Sequence, residues 1–460
     1  MQPVQFTPED SDGSSAVVIE MNDDPGVHLS VQNRYSFLNL DHLDWTWAMT
    51  SNRSPQPVQT GSFFLKDAEG GQDTFVILQS AISIVVELEK SRPVKGNSYF
   101  LRLEGSLKED TSWGKAGRVV TTQQLPLTFA FRKPISFRLP VPPRNDPPEQ
   151  VLSLPITYRS VNDMIHIERP DENGPVTLAV LDPSTGGIES IFSRSGEDML
   201  VEQVLPNFVR AATDNDNGGL ENLVRFFFPN FNIKHILGNA NKHFSFASHW
   251  RRVGLDPSSP PTVTCYDLRM RHVANQVFAR AYCEIKNQTN EKILFLLQID
   301  YNVWGDGRLR VHYHLTPTDA FQGVVSLPRV GVHMGVDAPY CKVSYFGKGP
   351  EENYPDRQAA SHFGHYETTP QKMGHNKYIV PGEYGSRSDC EWIALRHVDT
   401  GTGMLVVMDD EPFSFSALHH SAAELDQANH THELLDRGDS EDMIHVNVDH
   451  QIMGVGGDMR

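Results

Sequence analysis

The densest group of side chains able to do chemistry is Gly349-Pro350-Glu351-Glu352-Asn353-Tyr354-Pro355-Asp356-Arg357. Three carboxylates, an amide, a phenol and a guanidinium sit together, framed by residues that stiffen or break regular structure. The alternating run Val343-Ser344-Tyr345-Phe346 just before it predicts a strand that ends in a stiff turn. Paired carboxyl groups about 5–5.5 Å apart can divide the roles of acid/base and nucleophile between them. Glu351 and Glu352 are adjacent, however, and in extended chain they point to opposite faces. Asp356 beside Arg357 reads as an ion-paired turn. Glu352, Asn353, Tyr354, Asp356 and Arg357 are therefore candidates for substrate binding or domain docking, and the pattern assigns no catalytic residue.

A second polar group is Arg210-Ala211-Ala212-Thr213-Asp214-Asn215-Asp216-Asn217-Gly218-Gly219. Alternating Asp and Asn before paired glycines look like a calcium loop. An EF-hand needs a bidentate Glu at its twelfth position and flanking helices. Counted from Asp214, that position is Arg225, and the flanks read as strand and loop. Asp214, Asn215 and Asp216 stand either as Asx turns shaping a loop or as a sugar-facing or interface cluster. His312 with His314, and His430 with His432, share the spacing that puts two imidazoles on one strand face, and His419-His420 lies near the second pair. No third ligand can be assigned to either pair, so no metal site is named. Trp45, Trp47, Trp113, Trp250, Trp304 and Trp392 could stack on sugar rings, but packing between sheets is the ordinary use of most such residues. There is no G-x-S-x-G elbow, no phosphate-binding glycine loop and no H-E-x-x-H.

The elements that must position these groups read as strands almost throughout. Val27, Leu29 and Val31 alternate with polar residues, as do Tyr99, Leu101 and Leu103. Ile293, Phe295, Leu297, Ile299 and Tyr301 alternate up to a Gly305-Asp306-Gly307 turn, and Leu309, Val311, Tyr313 and Leu315 alternate after it, which predicts a hairpin. Helix is expected only in short pieces, such as 421–429. Pro140, Pro142, Pro143, Pro147 and Pro148 mark a linker over residues 141–150. The expected organisation is a sandwich over 10–140 and a larger one over 151–460. No alternation of strands with long amphipathic helices leaves room for a (β/α)₈ barrel of about 250 residues.

The chain has 460 residues, 39% of them hydrophobic, and a net charge of -18. The length and apolar fraction suit two or more cored domains. The acidity argues against nucleic acid and anionic membranes as partners. No apolar run approaches the roughly 20 residues of a membrane span. The opening residues 1–8 show neither a basic nor an apolar stretch, so the expected location is cytoplasmic. Cys265, Cys283, Cys341 and Cys390 fit no metal or redox spacing and are expected to be reduced and buried. The sequons at Asn287 and Asn429 carry no weight without a secretion signal.

Taken together, the motifs resemble glycoside hydrolase family 2 β-galactosidases of the long, five-domain type. Arg210–Gly219 resembles their R-A-P-x-D-N-D-x-G segment, with Ala212 where the pattern has Pro. Gly349–Arg357 is similar to G-P-x-E-N-Y-x-D-R. Residues 453–458 resemble M-G-x-G-G-D, and Asn429-His430-Thr431-His432 resembles S-H-x-H with Asn429 in place of Ser. Asp182–Ile188 resembles the turn that opens the same domain. Residues 31–37 and 112–117 are similar to the fourth domain. The segments occur in family order and cover nearly the whole chain.

This resemblance implies an all-β chain: an immunoglobulin-like β-sandwich followed by a large β-supersandwich of the galactose-mutarotase type. It implies the C-terminal portion or small subunit of an enzyme that hydrolyses terminal β-galactosides such as lactose with retention. In the family the catalytic glutamates and magnesium ligands belong to a barrel N-terminal to these segments, so no catalytic residue is transferred. A platform Trp follows the last motif in the family, and the expectation is a chain cut short at both ends. Magnesium and sodium are expected for the complete enzyme and no cofactor for this chain. The partners implied are a galactoside through the complete enzyme, a barrel-bearing large subunit and further copies of the chain. The alternative is a stand-alone carbohydrate-binding or mutarotase-like protein, which needs a His acid and a carboxylate base facing one sugar.

Overall fold

A computed structural model describes residues 4–8, 17–19, 26–35, 38, 40–63, 81–87, 97–129, 154–217, 245–273, 275–321, 324, 326–374, 378–407, 409–436 and 443–456. The chain is all-β, with short helices only. It divides into two compact units, residues 1–142 with 362–365, and residues 143–361 with 366–460; the division falls within the strand over 362–368, which is described with the second unit. The proline-rich segment 141–150 lies outside the described residues.

The first unit contains β1 (Val4–Pro8), β2 (Val17–Ile19), β3 (Gly26–Asn33), β4 (Leu43–Ser51), β5 (Ser54–Phe63), β6 (Ala81–Glu87), β7 (Tyr99–Leu107) and β8 (Val119–Phe129). They form a three-stranded sheet, β1-β3-β6, and a five-stranded sheet, β2-β8-β7-β4-β5. Side chains alternate across a strand. Val27, Leu29 and Val31 of β3 therefore enter one core with Leu43, Trp45 and Met49 of β4 and Leu101 and Leu103 of β7. Each such side chain, fully buried, contributes about 1.5–3 kcal/mol.

The strands of the second unit are β9 (Thr157–Val161), β10 (Met164–Arg169), β11 (Val176–Leu181), β12 (Ile188–Ile191), β13 (Leu200–Asn207), β14 (Thr262–Val273), β15 (Gln276–Lys286), β16 (Ile293–Trp304), β17 (Leu309–Pro317), β18 (Arg329–Asp337), β19 (Lys342–Gly349), β20 (His362–Thr368), β21 (Arg387–Cys390), β22 (Trp392–Arg396), β23 (Gly403–Val407), β24 (Phe413–Leu418) and β25 (Met443–Ile452). A nine-stranded sheet runs β21-β24-β25-β18-β13-β12-β11-β10-β9. Two four-stranded sheets run β14-β15-β16-β17 and β20-β19-β22-β23. A single apolar core takes Val204, Met334, Val336, Ile444 and Val446 from the large sheet, Ile285 and Ile299 from the second, and Val343 and Ile393 from the third.

β16 and β17 pair across the Gly305-Asp306-Gly307 turn as the alternation predicts, with Gly307 at φ 89°. Among the described residues the α-helices are α1 (Asp214–Asn217), α2 (Phe246–Val253), α3 (Pro370–Met373), α4 (Ala422–Gln427) and α5 (Thr431–Asp436). A reciprocal capping box of Ser421 and Glu424 starts α4 within the stretch expected to hold helix. The sequence reading did not find α2, which the Ser245 side chain caps at its N-terminus and left-handed Gly254 closes.

One expectation needs correction and two others are sharpened. The four cysteines are free, but Cys265 and Cys341 are only half-buried. Trp113 does not pack inside, since it is 56% exposed. Asn287 is buried and its side chain is engaged with Val253 and Thr289, so that sequon is not an accessible acceptor. Among the described residues, no helix is long and apolar enough to cross a membrane.

Candidate functional site

Three segments far apart in sequence meet in the second unit: the Arg210–Asn217 loop, the 349–357 turn and residues 453–456 after β25. Arg210 is buried, and its guanidinium lies 5.3 Å above the Trp250 ring. Its Nη2 reaches both oxygens of Asp216 at 2.8 Å. Nη1 donates to the Met453 carbonyl at 2.5 Å, and Nη2 also donates to Gly454 at 3.2 Å. Asp216 is completed by the amide and hydroxyl of Thr213, each at 2.9 Å. Asn215 Nδ2 donates to the Val455 carbonyl at 2.6 Å. From the opposite side, Asp356 accepts the amides of Val455 at 3.1 Å and Gly456 at 2.7 Å. A side chain on residue 454 would strike the Asp356 carboxylate at 2.4 Å, so only glycine allows this clasp.

This geometry settles the calcium-like loop. The Asp216 oxygens already hold a cation and two donors, which leaves no carboxylate pair for a metal ion. It also corrects the ion-paired turn: Arg357 does not pair with Asp356. Its guanidinium pairs with Glu352 and donates to Tyr378, while Asp356 faces the 454–456 backbone. Neighbouring residues of the turn project to opposite sides, which is why they find different partners.

Asn353 is fully buried and saturated. Nδ2 donates to Lys348 and Glu351 carbonyls at 3.0 and 3.1 Å, and Oδ1 accepts from Ser388 N and Oγ at 2.9 and 2.5 Å. Glu352 accepts from Arg357 and Tyr378, and from the Gly385 amide at 2.9 Å. Burial pushes this carboxyl up, but the Tyr378 and Gly385 hydrogen bonds and the Arg357 charge outweigh it and hold it below the usual range. A general acid needs the opposite shift. Tyr354 is buried beside them, with its phenol pushed well up by burial and by the Glu383 and Glu352 carboxylates. Asp214 is exposed at the head of α1.

Sequence reading missed the polar face of the large sheet. In β18, Arg329, Gly331, His333 and Gly335 alternate with Val330, Val332, Met334 and Val336. In β25, His445, Asn447 and Asp449 alternate with Ile444, Val446 and Val448. Cross-strand register sets Gly331 opposite Asp449, His333 opposite Asn447 and Gly335 opposite His445, which makes one continuous stripe. This alternation was the available signal.

At one end of the stripe, Arg329 is buried between Glu383 and Asp449, 3.0 Å from an oxygen of each. Neither Asp449 oxygen finds a well-formed hydrogen bond among the described residues. Burial raises this carboxyl to about 7, with the Glu383 charge adding and Arg329 and Arg210 opposing. In the middle, Asn207 donates to Asn447 at 2.9 Å. At the far end, His333 Nε2 lies 3.2 Å from His445 Nδ1. Burial, helped by His445 and Arg329, pushes the His333 imidazole down to about 3. Burial also lowers His445, with Glu424 opposing and His420 and His419 adding.

Of the histidine pairs read from spacing, His312 and His314 do share a face, with rings 4.2 Å apart, and the rings of His430 and His432 stack at 5.4 Å. Neither pair meets a third ligand among the described residues. Trp250 packs under Arg210 and donates from its indole nitrogen to Ser326, so it is a buried support rather than an open stacking surface.

Comparison with known proteins identifies the family to which these segments belong. A family model described as Beta galactosidase small chain matches residues 173–459, and one described as Beta-galactosidase, domain 4 matches residues 29–128. The chain belongs to the β-galactosidase small-chain family, and corresponds to the C-terminal region of β-galactosidases. It is 27% identical over 377 residues to the Beta-galactosidase of Vibrio cholerae serotype O1, covering 82% of this chain and 31% of that protein. Against the Beta-galactosidase of Photobacterium profundum it is 27% identical over 444 residues, 96% of this chain and 37% of that one. For Priestia megaterium Beta-galactosidase the identity is 24% over 438 residues, with 93% and 34% covered. The chain thus spans about a third of the length of the curated relatives it matches.

Proposed function

We propose that this chain is the non-catalytic part of a β-galactosidase. The complete enzyme hydrolyses terminal β-D-galactosides such as lactose with retention, through a covalent galactosyl intermediate. The attacking and proton-donating carboxylates belong to a barrel outside these residues. This chain shapes the site and supports assembly, either with a barrel-bearing large subunit or with further copies of itself. No residue of the chain is assigned to the magnesium or sodium expected of the complete enzyme.

One observation carries the reading. Three carboxylates of the family-like segments are spent on holding loops together: Asp216 on Arg210 and Thr213, Glu352 on Tyr378, Arg357 and the Gly385 amide, Asp356 on the Val455 and Gly456 amides. Groups committed in this way position a surface and do not exchange protons with a substrate.

The test is hydrolysis of a chromogenic β-galactoside by the purified chain. The expected result is no turnover alone, and turnover when a barrel-bearing chain is supplied. Hydrolysis by the chain alone that survives removal of contaminating enzyme and is abolished in Glu352→Gln would overturn it.

A further inference from the structure

We propose that Glu202, His333 and His445 form a binding site for a divalent transition metal of the zinc class. Two imidazoles and a carboxylate are a ligand set suited to such an ion. The three residues come from adjacent strands of the large sheet, Glu202 from β13, His333 from β18 and His445 from β25. Gly335 is the cross-strand partner of both Glu202 and His445. Directly opposed residues project from the same face of a sheet, and so do residues two apart on a strand. All three ligands therefore stand on one face around a position with no side chain. A Cβ at 335 would meet Met443 Sδ at 2.4 Å and Glu202 Cβ at 2.8 Å, so glycine is what keeps the space between them free.

The distances suit an ion. One ligand atom from each residue lies within 4.8 Å of the other two. The 3.2 Å between His333 Nε2 and His445 Nδ1 is the separation of two ligands on a tetrahedral ion with bonds of about 2.0–2.1 Å. Glu202 Oε2 stands 3.9 Å from His333 Nδ1, the ring nitrogen that does not face His445, so to join the ion at Nε2 the carboxylate must swing round. Its side chain is 51% exposed, while the two rings are held by the sheet. Three protein ligands leave a fourth position on a tetrahedral ion. The competing explanation of the same geometry is a plain hydrogen bond between two histidines.

Cobalt(II) separates the two, because a tetrahedral site gives it visible absorption. The untagged, metal-stripped full-length chain is titrated with Co²⁺ and then with Zn²⁺. The expected result is one saturable equivalent that Zn²⁺ displaces. His333→Gln and His445→Gln should abolish it, and Glu202→Gln should weaken it about tenfold. Thermal unfolding in metal-free buffer shows whether each variant is folded, and the half-exposed Glu202→Gln serves as the variant least able to disturb the sheet. The proposal falls if the wild-type chain gives no such signal. It falls equally if the signal persists in folded His333→Gln and His445→Gln, or is lost instead in His312→Gln or His430→Gln.

Discussion

The stripe of polar residues along β18 and β25 ends in two different ways. At the Arg329–Asp449 end, charges of both signs crowd together with Glu383 and with the Arg210–Asp216 pair beyond. At the His333–His445 end, the ionisable groups of the stripe face one another, and among the described residues no Lys or Arg pairs with Glu202 and no carboxylate lies within hydrogen-bond distance of either ring. The first end is an ion-paired lattice in which two arginines serve three carboxylates, and the second is two imidazoles beside one carboxylate. The difference teaches that polar residues on one sheet face need not share a role. Where charges pair, they fix loops. Where ring nitrogens and a carboxylate converge, they offer the proposed metal site.

Three experiments test this contrast. The largest effect belongs to the ion-paired end. Arg210→Met should cost about 3–5 kcal/mol, because it strands Asp216 without its cation in the interior, and a urea unfolding curve would show it as a lower midpoint at unchanged slope. A loss under 1 kcal/mol would mean that Arg210 does not hold the lattice.

Next comes Asp449. Its folded carboxyl titrates near 7, above the unfolded value, so the folded state binds the extra proton and stability falls as pH rises from about 4 to 7. Asp449→Asn removes this term. Across that window the wild type should lose on the order of 4 kcal/mol of stability relative to the variant.

The His333 end should respond in the opposite sense. Its imidazole is pushed down, so the unfolded state takes up the proton first and stability is lost as pH falls below about 6.5. His333→Gln should flatten that acid limb by about 2 kcal/mol, less than the shift alone implies because 26% of the side chain still meets solvent. Equal slopes of the same sign at both ends would erase the comparison.

Much of the fold was legible because a strand's periodicity is local. The runs Val27–Val31, Tyr99–Leu103 and Ile293–Leu315 declare both their strands and their inward faces. The candidate site was legible only as a list of residue types. Nothing local says that Asp356 turns to Val455 while Arg357 turns to Glu352, because the partner that draws Asp356 away lies 99 residues on in sequence. The polar stripe was hidden for a related reason. Alternation in β18 and β25 tells which residues share a face, but not that Gly331 and Gly335 empty that face for their neighbours on adjoining strands. Trp113 shows the limit of composition, since an aromatic is buried only where something packs over it.

One consequence of the β18 register concerns the order of events during synthesis. β18 is complete at residue 337, yet its partner β25 begins at Met443. For about a hundred residues of elongation, the β25-facing edge of a mostly apolar strand has no mate, which is the circumstance that favours wrong pairing between chains. Arg329 and the two glycines then act as guards: a charge at the strand's start and two gaps that weaken any foreign ladder. The residues that later knit the finished face are the ones that keep the unfinished edge apart from its neighbours.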